Sequence, residues 1–131
     1  MRGRGALVAL VLILATTVSS EEARGPRIRV EPESFDFGKV LPRRTLRKEF
    51  RLRNLGDEPL VIERISKSCG CTEAATEVST LDPGASTPLR VTVETRAASG
   101  PIEHEVLVRS NDPATPALEI RLRATVVDET R

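Results

Sequence analysis

Hydrophobic and polar residues alternate with a period of two along most of this chain. In the segment Thr45–Asn54, Leu46, Phe50 and Leu52 fall on one face, and most of the charged side chains fall on the other. The same alternation recurs in segments 89–94, 102–109 and 118–126. A strand with one buried and one solvated face has this pattern. No segment has the stripe of an amphipathic helix, so the pattern predicts an all-β protein.

Residues that favour turns separate these segments. The separators are Gly56-Asp57, Pro83-Gly84, Gly100-Pro101 and Asn111-Asp112-Pro113. Proline cannot donate to a strand ladder, and glycine and asparagine adopt turn conformations readily. With the shorter segments 28–30, 34–37 and 60–65, the pattern predicts about seven antiparallel strands in a sandwich or barrel. The last two strands are predicted to form a hairpin that places Glu105 opposite Arg121 or Arg123.

The first 20 residues have the features of a secretory signal peptide. Arg2 and Arg4 precede an apolar run at 6–18, and small residues at Ser19 and Ser20 fit a cleavage site. The run is shorter than the roughly 20 residues that span a bilayer. We therefore expect a leader at 1–20, a polar segment at 21–27, one domain at 28–127 and a tail at 128–131. After cleavage we expect no membrane span and an exported, periplasmic or extracellular protein; an uncleaved anchor is the competing interpretation.

Charge and aromatic content argue against several kinds of ligand. The formal net charge is +1, and it becomes about −1 when the leader is removed, so global charge does not steer the protein towards nucleic acid. The chain has no Trp or Tyr and only three Phe. Stacking surfaces for bases and aromatic linings for small molecules are therefore scarce. We expect no nucleic-acid partner and no cofactor.

Four short motifs together resemble a known family. They are Phe35-Asp36-Phe37-Gly38, the stretch containing Asn54 and Gly56, Ser68-Cys69-Gly70-Cys71-Thr72, and Ser110-Asn111-Asp112-Pro113. In this order they closely resemble the bacterial domain of unknown function number fifteen-seventy-three, over residues 28–127. That family belongs with the immunoglobulin-like domains of the Hydin and major-sperm-protein type. The resemblance implies an exported immunoglobulin-like β-sandwich and supplies no activity.

Both cysteines of the chain, Cys69 and Cys71, lie one residue apart. In an extended strand their Cα atoms would be about 6.6 Å apart and their side chains on one face. A disulfide prefers roughly 5.5–6 Å, so closure would require a bend at Gly70. Three interpretations remain open. The pair is structural, as packed thiols or a static disulfide; it is redox-active, with Lys67 lowering a thiol pKa; or, less favoured, it holds Cu(I), which prefers soft ligands.

The chain has one histidine, His104, in phase with the buried residues Ile102 and Val106. A half-buried position at a sheet edge is the favoured interpretation, because no nucleophile-elbow motif or metal-binding histidine cluster accompanies it. A zinc site would need four ligands, and two Cys and one His are too few for a structural one. The residues therefore predict a protein that is not an enzyme.

Basic residues are concentrated around the first long strand. The cluster consists of Arg43, Arg44, Arg47, Lys48, Arg51 and Arg53. One interpretation is a surface for an anionic partner, either an envelope polymer or an acidic protein. The favoured one is a solvated, charged strand that resists pairing at a sheet edge. The function we predict is a non-enzymatic binding or scaffolding module of the cell envelope, and the alternative is a thiol-redox or Cu(I)-handling protein.

Overall fold

The computed structural model describes residues 25–128, which contain nine strands and no helix. The predicted signal peptide at 1–20, residues 21–24 of the polar segment and most of the tail lie outside the described residues. No helix long and apolar enough to cross a membrane occurs between residues 25 and 128. The strands are β1 Ile28–Glu31, β2 Ser34–Val40, β3 Thr45–Asn54, β4 Leu60–Lys67, β5 Thr72–Thr76, β6 Thr80–Leu81, β7 Ser86–Glu94, β8 Gly100–Ser110 and β9 Ala117–Val126.

The nine strands form two sheets that pack face to face. One sheet has the order β1-β3-β7-β5, and the other has the order β2-β9-β8-β4-β6. The core between them is built from the alternating apolar residues of both sheets. Its fully buried side chains include Phe50, Leu52, Leu89, Ile120 and Leu122. The two-sheet sandwich predicted from the alternation is therefore present.

The strand count and one pairing direction differ from the prediction. Strands β5 and β6 were not predicted, because Thr72–Thr76 contains two alanines and Thr80–Leu81 is only two residues long. The predicted sheet was wholly antiparallel, whereas β2 pairs in parallel with β9. The chain passes from β1 in one sheet to β2 in the other through Pro32, so that β2 joins the second sheet at its edge. Sequence alternation carries no information about pairing direction.

The predicted hairpin of β8 and β9 is confirmed, with Glu105 opposite Arg121. The predicted turn at Gly100-Pro101 is wrong, because these two residues begin β8 and pair with Val126 and Thr125. A proline is tolerated as an early residue of a strand because the N–H that it lacks need not face a partner there.

Each end of the sandwich holds some of the motifs that carry the resemblance described above. One end, which we call the Asn54 end, contains the loops that follow β3 and β8. The other end, which we call the Cys71 end, contains the connection from β4 to β5 and the start of β8. The candidate functional residues lie at the Cys71 end and along β3.

Candidate functional site

The Cys-Gly-Cys run forms the crossing from one sheet to the other. Strand β4 ends at Lys67 in the five-stranded sheet, and β5 begins at Thr72 in the four-stranded sheet. Residues 68–71 therefore form the entire connection between the two sheets at this point. Both cysteines occupy a turn between two strands, so the chain is not extended at this point.

Backbone hydrogen bonds attach this turn to both sheets. On one side, the Ser68 N–H donates to the carbonyl of Glu105 at 2.9 Å, and the Glu105 N–H donates to the Ser68 hydroxyl at 2.9 Å. On the other side, the Glu94 N–H donates to the carbonyl of Cys71 at 2.9 Å. The turn is thus held against β8 in one sheet and β7 in the other, which limits its movement.

The two cysteines are joined by a disulfide, with their Cα atoms 5.3 Å apart. That separation falls within the range a disulfide accepts, because the turn brings the Cα atoms closer than an extended strand would. The N–H of Cys71 also donates to the sulfur of Cys69 at 3.1 Å. Gly70 does not have a positive φ, and an added Cβ there would meet no atom within 4 Å. The bend therefore comes from the turn as a whole and not from a conformation reserved for glycine.

His104 lies beside the disulfide. Its ring nitrogens Nδ1 and Nε2 are 3.8 and 3.9 Å from the sulfur of Cys71. Partial burial lowers the pKa of His104 from its usual value of 6.5, because burial disfavours the charged ring. The imidazole is therefore neutral at neutral pH. The half-buried position expected for His104 is confirmed, and His104 lies beyond the end of β4, which pairs with β8 only from Val106 onwards.

The alternating pattern predicted that His104 lies on the inner face, but it did not predict that His104 lies near the cysteines. The contact arises because residues 68–71 cross directly over the start of β8. The Lys67 ammonium group lies 2.6 Å from a carboxylate oxygen of Glu73, across the crossing. Its effect on a thiol pKa stays a prediction.

The basic cluster is divided between two faces of β3. Arg47, Arg51 and Arg53 are exposed on the outer face, whereas Lys48 is on the inner face and half-buried. The Lys48 ammonium lies 4.4 Å from the centre of the Phe35 ring, which is a favourable cation–π geometry. Arg43 and Arg44 lie in the loop before β3.

The outer face of the sheet carries acidic residues among the basic ones. Glu49 lies on β3 between Arg47 and Arg51, and Glu31 on β1 is opposite Arg51. On β7, Arg90 is opposite Glu49 and forms an ion pair with Glu77 at 2.7 Å. The face therefore alternates in charge and does not present a continuous cationic surface.

Half of β3 has an open edge. The N–H of Asn54 donates to the carbonyl of Ala85 near β7, whereas the N–H of Leu55 donates to the carbonyl of Arg27 before β1. Backbone groups point to alternate sides along a strand. The backbone groups of Thr45, Arg47 and Glu49 therefore point to the same side as β1.

Strand β1 ends before it reaches these residues, since Glu31 pairs with Arg51 at the limit of the ladder. No strand among residues 25–128 pairs with 45–50 on this side. The sequence interpretation of β3 as a charged edge strand is therefore wrong for 51–54, which pair on both sides. It fits only the first half of the strand.

Two grooves adjoin the open half of β3. One, of about 460 Å³, is lined by residues that include Pro32, Lys48, Phe50 and Pro88. The other, of about 280 Å³, lies between β3 and β7 and also includes Lys48. The free backbone groups and the first groove, which includes Glu31 and Pro32 where β1 ends, together form a surface on which an extended chain can lie.

The remaining motif residues, at the Asn54 end, have structural roles. The Asn54 side chain is buried, accepts from the N–H groups of Arg27 and Gly56, and donates to the carbonyls of Glu58 and Leu81. Gly56 has no room for a Cβ, which would clash with the carbonyl oxygen of Gly25.

The buried carboxylate of Asp112 has a similar role. It accepts from the N–H of Ile28 at 2.9 Å and from those of Ala114 and Thr115. Asn54 and Asp112 therefore fasten the start of the domain and two loops to the sandwich, which accounts for these residues without a ligand.

Sequence comparison places the chain in a family. The profile of the family "Protein of unknown function (DUF1573)" matches residues 28–126. The chain belongs to the DUF1573 family. The resemblance inferred from the four motifs is thereby confirmed. No curated protein matches the chain in sequence.

Structural comparison shows the fold of this DUF1573 domain. It is similar to a protein of unknown function from Porphyromonas gingivalis W83, with a TM-score of 0.69, 22% identity, and coverage of 79% of this chain and 48% of that chain. It is also similar to the ASH/PapD-like domain 7 of human CEP192, with a TM-score of 0.58, 12% identity, and coverage of 77% and 85%.

A third similar structure is SSP-19, an MSP-domain protein of Caenorhabditis elegans, with a TM-score of 0.56 and 20% identity over 74% of this chain and 98% of that one. These likenesses confirm the immunoglobulin-like β-sandwich of the major-sperm-protein and PapD-like type. At these identities they show the fold alone. The chain spans about half the length of the Porphyromonas protein.

Proposed function

We propose that this DUF1573 protein is an exported, non-enzymatic binding or scaffolding module of the cell envelope. In this proposal an extended segment of a partner protein adds to the open edge of β3. The observation that supports it best is the free backbone edge of Thr45, Arg47 and Glu49, which lies beside the groove that includes Pro32 and Lys48. Strand addition of this kind supplies affinity through main-chain hydrogen bonds and specificity through alternate side chains.

The charges along β3 indicate the character of the partner segment. Arg47 has no ion-pair partner among residues 25–128, so its guanidinium can pair with an acidic side chain of a segment on the open edge. Glu49 and Glu31 interrupt the basic residues. A uniform anionic polymer would be repelled by these carboxylates. A protein segment can instead carry acidic residues only at the positions that face the basic side chains. The pattern therefore favours an acidic segment of an envelope protein over a polymer.

Two features support export. The residues at 1–20 have the composition of a signal peptide. A disulfide between Cys69 and Cys71 also suits an oxidising compartment. Fractionation of cells and the mass of the exported protein test this part directly. We expect a chain that begins after Ser20, and a cytoplasmic, full-length protein would contradict it.

The binding proposal is tested by blocking the open edge. Proline at position 49 removes an N–H that points away from β7, so Glu49→Pro should leave the β3–β7 ladder in place. Glu49→Ala is the matched control, because it removes the charge and keeps the N–H. A partner is first isolated from envelope extract with the wild-type protein, identified by mass spectrometry and purified.

We expect Glu49→Pro to reduce affinity for the purified partner at least tenfold, while Glu49→Ala binds about as tightly as the wild type. Equal binding by Glu49→Pro, with its fold verified by circular dichroism, would exclude the edge as the contact. Arg47→Glu tests the acidic character of the partner, because it places a negative charge beside the open edge, and we expect it to weaken binding. Failure to recover any specific partner would contradict the binding function as a whole.

A second candidate function is thiol–disulfide exchange, which is favoured by the accessibility of Cys69. Cys69 is half-buried, whereas Cys71 is only 8% exposed. A thiolate of an external dithiol attacks the sulfur of Cys69, a mixed disulfide forms, and Cys71 leaves as a thiolate. The second thiol of the reductant then resolves the mixed disulfide, so the reductant is oxidised and the protein gains two thiols.

Exchange is measured by incubating the protein with a dithiol and counting free thiols by alkylation and mass. A redox role predicts reduction within seconds to minutes at neutral pH in the folded protein. If the disulfide reacts only after denaturation, the structural role of the pair is correct and the exchange function is wrong.

A further inference from the structure

Three side chains that can bind a metal ion meet at the Cys71 end. The sulfurs of Cys69 and Cys71 come from the crossing between the sheets, and the imidazole of His104 comes from β8. The candidate ligand atoms of these residues all lie within 4.8 Å of one another. They are the only such group of three found among residues 25–128.

The spacing of the three groups is close to that of a metal site. Bonds of about 2.3 Å to sulfur and about 2.0 Å to nitrogen place neighbouring ligand atoms roughly 3.5–4 Å apart. The sulfur of Cys71 is already 3.8 Å from Nδ1 and 3.9 Å from Nε2 of His104. Once the disulfide is reduced, rotation of the more exposed Cys69 side chain can separate the two sulfurs. The imidazole must also turn so that one of its nitrogens faces the ion, because both nitrogens are now about equally far from the Cys71 sulfur.

The kind and number of ligands select the ion. Two thiolates and one imidazole form a soft set, and thiolates favour Cu(I). No carboxylate belongs to the group within 25–128, so hard cations have no suitable ligands there. A structural zinc site would lack its fourth protein ligand. The set therefore fits Cu(I), which accepts a low coordination number.

We propose that the reduced protein binds one Cu(I) ion through Cys69, Cys71 and His104, and that the disulfide closes this site. Reduction takes two electrons and two protons, supplied by an external dithiol that becomes a disulfide. Binding then forms two Cu–S bonds and one Cu–N bond, releases the two thiol protons and transfers no electron. The site is thus open to copper only under reducing conditions. This inference is independent of partner binding at β3, and either can fail without the other.

The test uses the whole exported chain in two redox states. The protein is reduced with a phosphine, freed of reductant without oxygen, and titrated with Cu(I) in competition with a chromogenic chelator. We expect one equivalent of tightly bound Cu(I) in the reduced protein and none in the oxidised protein. Equal binding in both states, or no binding in the reduced state, would overturn the proposal. So would binding of Zn²⁺ with exclusion of Cu(I).

Variants test each ligand. Cys69→Ser with Cys71→Ser should abolish binding, and His104→Gln should weaken it at least tenfold. Ser66→Ala, a nearby polar change on β4, is the matched control and should bind as the wild type does. X-ray absorption at the copper edge gives an independent readout, with two sulfur and one nitrogen neighbours in the wild type. An unchanged affinity and spectrum in His104→Gln would exclude the histidine as a ligand.

Discussion

The two ends of this sandwich both carry family motifs, but they hold the chain in different ways. At the Asn54 end, the buried side chains of Asn54 and Asp112 accept backbone N–H groups of distant segments. At the Cys71 end, the motif side chains Cys69 and Cys71 are bonded to each other, and backbone groups together with the Ser68 hydroxyl attach the crossing to the sheets. Buried polar side chains thus hold distant segments at the Asn54 end, whereas the two sulfurs at the Cys71 end do not hold the crossing against the sheets.

This contrast indicates that the motif residues at the Asn54 end stabilise the fold, whereas Cys69 and Cys71 contribute less to stability and can take part in a reaction or bind an ion. Removing a buried side chain that satisfies several backbone groups leaves those groups unpaired. Removing a disulfide that closes a very short loop changes the entropy of the unfolded chain only slightly. The comparison therefore predicts that substitutions at the Asn54 end will cost more stability than those at the Cys71 end.

The largest effect is expected for Asn54→Ala. The substitution leaves four backbone groups without their partner, and two of these are the N–H groups of Arg27 and Gly56. We expect the free energy of unfolding to fall by about 2–4 kcal/mol, measured by urea denaturation. Asn111→Ala is the matched control, since this exposed asparagine makes two hydrogen bonds, and we expect it to cost about 1 kcal/mol or less. Equal losses of unfolding free energy in the two variants would contradict the special structural role that we assign to Asn54.

An intermediate effect is expected for the double substitution Cys69→Ser, Cys71→Ser. The loop it opens contains only three residues, so the chain-entropy model gives a loss of about 1–2 kcal/mol. Urea denaturation of the oxidised wild type and of the variant measures the difference. A loss larger than that of Asn54→Ala would show that the disulfide is a main structural element of the fold, contrary to our expectation.

The smallest effect is a dependence of stability on pH at His104. Its pKa is lowered by burial in the folded protein, so the unfolded chain binds more protons between the lowered value and about 6.5. Stability should therefore fall as the pH drops below about 6.5, and this loss should stop growing below the folded pKa. Denaturation between pH 5 and pH 7.5 should show a steeper loss in the wild type than in His104→Gln. Identical pH profiles would indicate that His104 is not held in a desolvated position.

The alternation of residues predicted the long strands well. The bounds of β3 agree with the predicted segment 45–54, and the hairpin of β8 and β9 has one of the two predicted registers. These elements are predictable because a strand with one wet face must alternate, whatever its neighbours are. The short strands β5 and β6 depend on pairing with β7 and β4, so their own sequences contain little signal.

The candidate sites were less predictable for a similar reason. The sequence singled out Cys69, Cys71 and the basic residues of β3. It did not place His104 beside the sulfurs or the Lys48 ammonium over the Phe35 ring. Both contacts join segments that are far apart in the chain, and no local pattern encodes such a meeting.

The sequence by itself determined the all-β character, the long strands and the family, because local alternation and short motifs are properties of neighbouring residues. Only the tertiary structure decided that residues 68–71 cross between the sheets, that β1 stops short along β3, and that β2 runs parallel to β9. These features follow from how the two sheets pack over a shared core. That packing brings the sulfurs to the histidine and leaves the edge of β3 open.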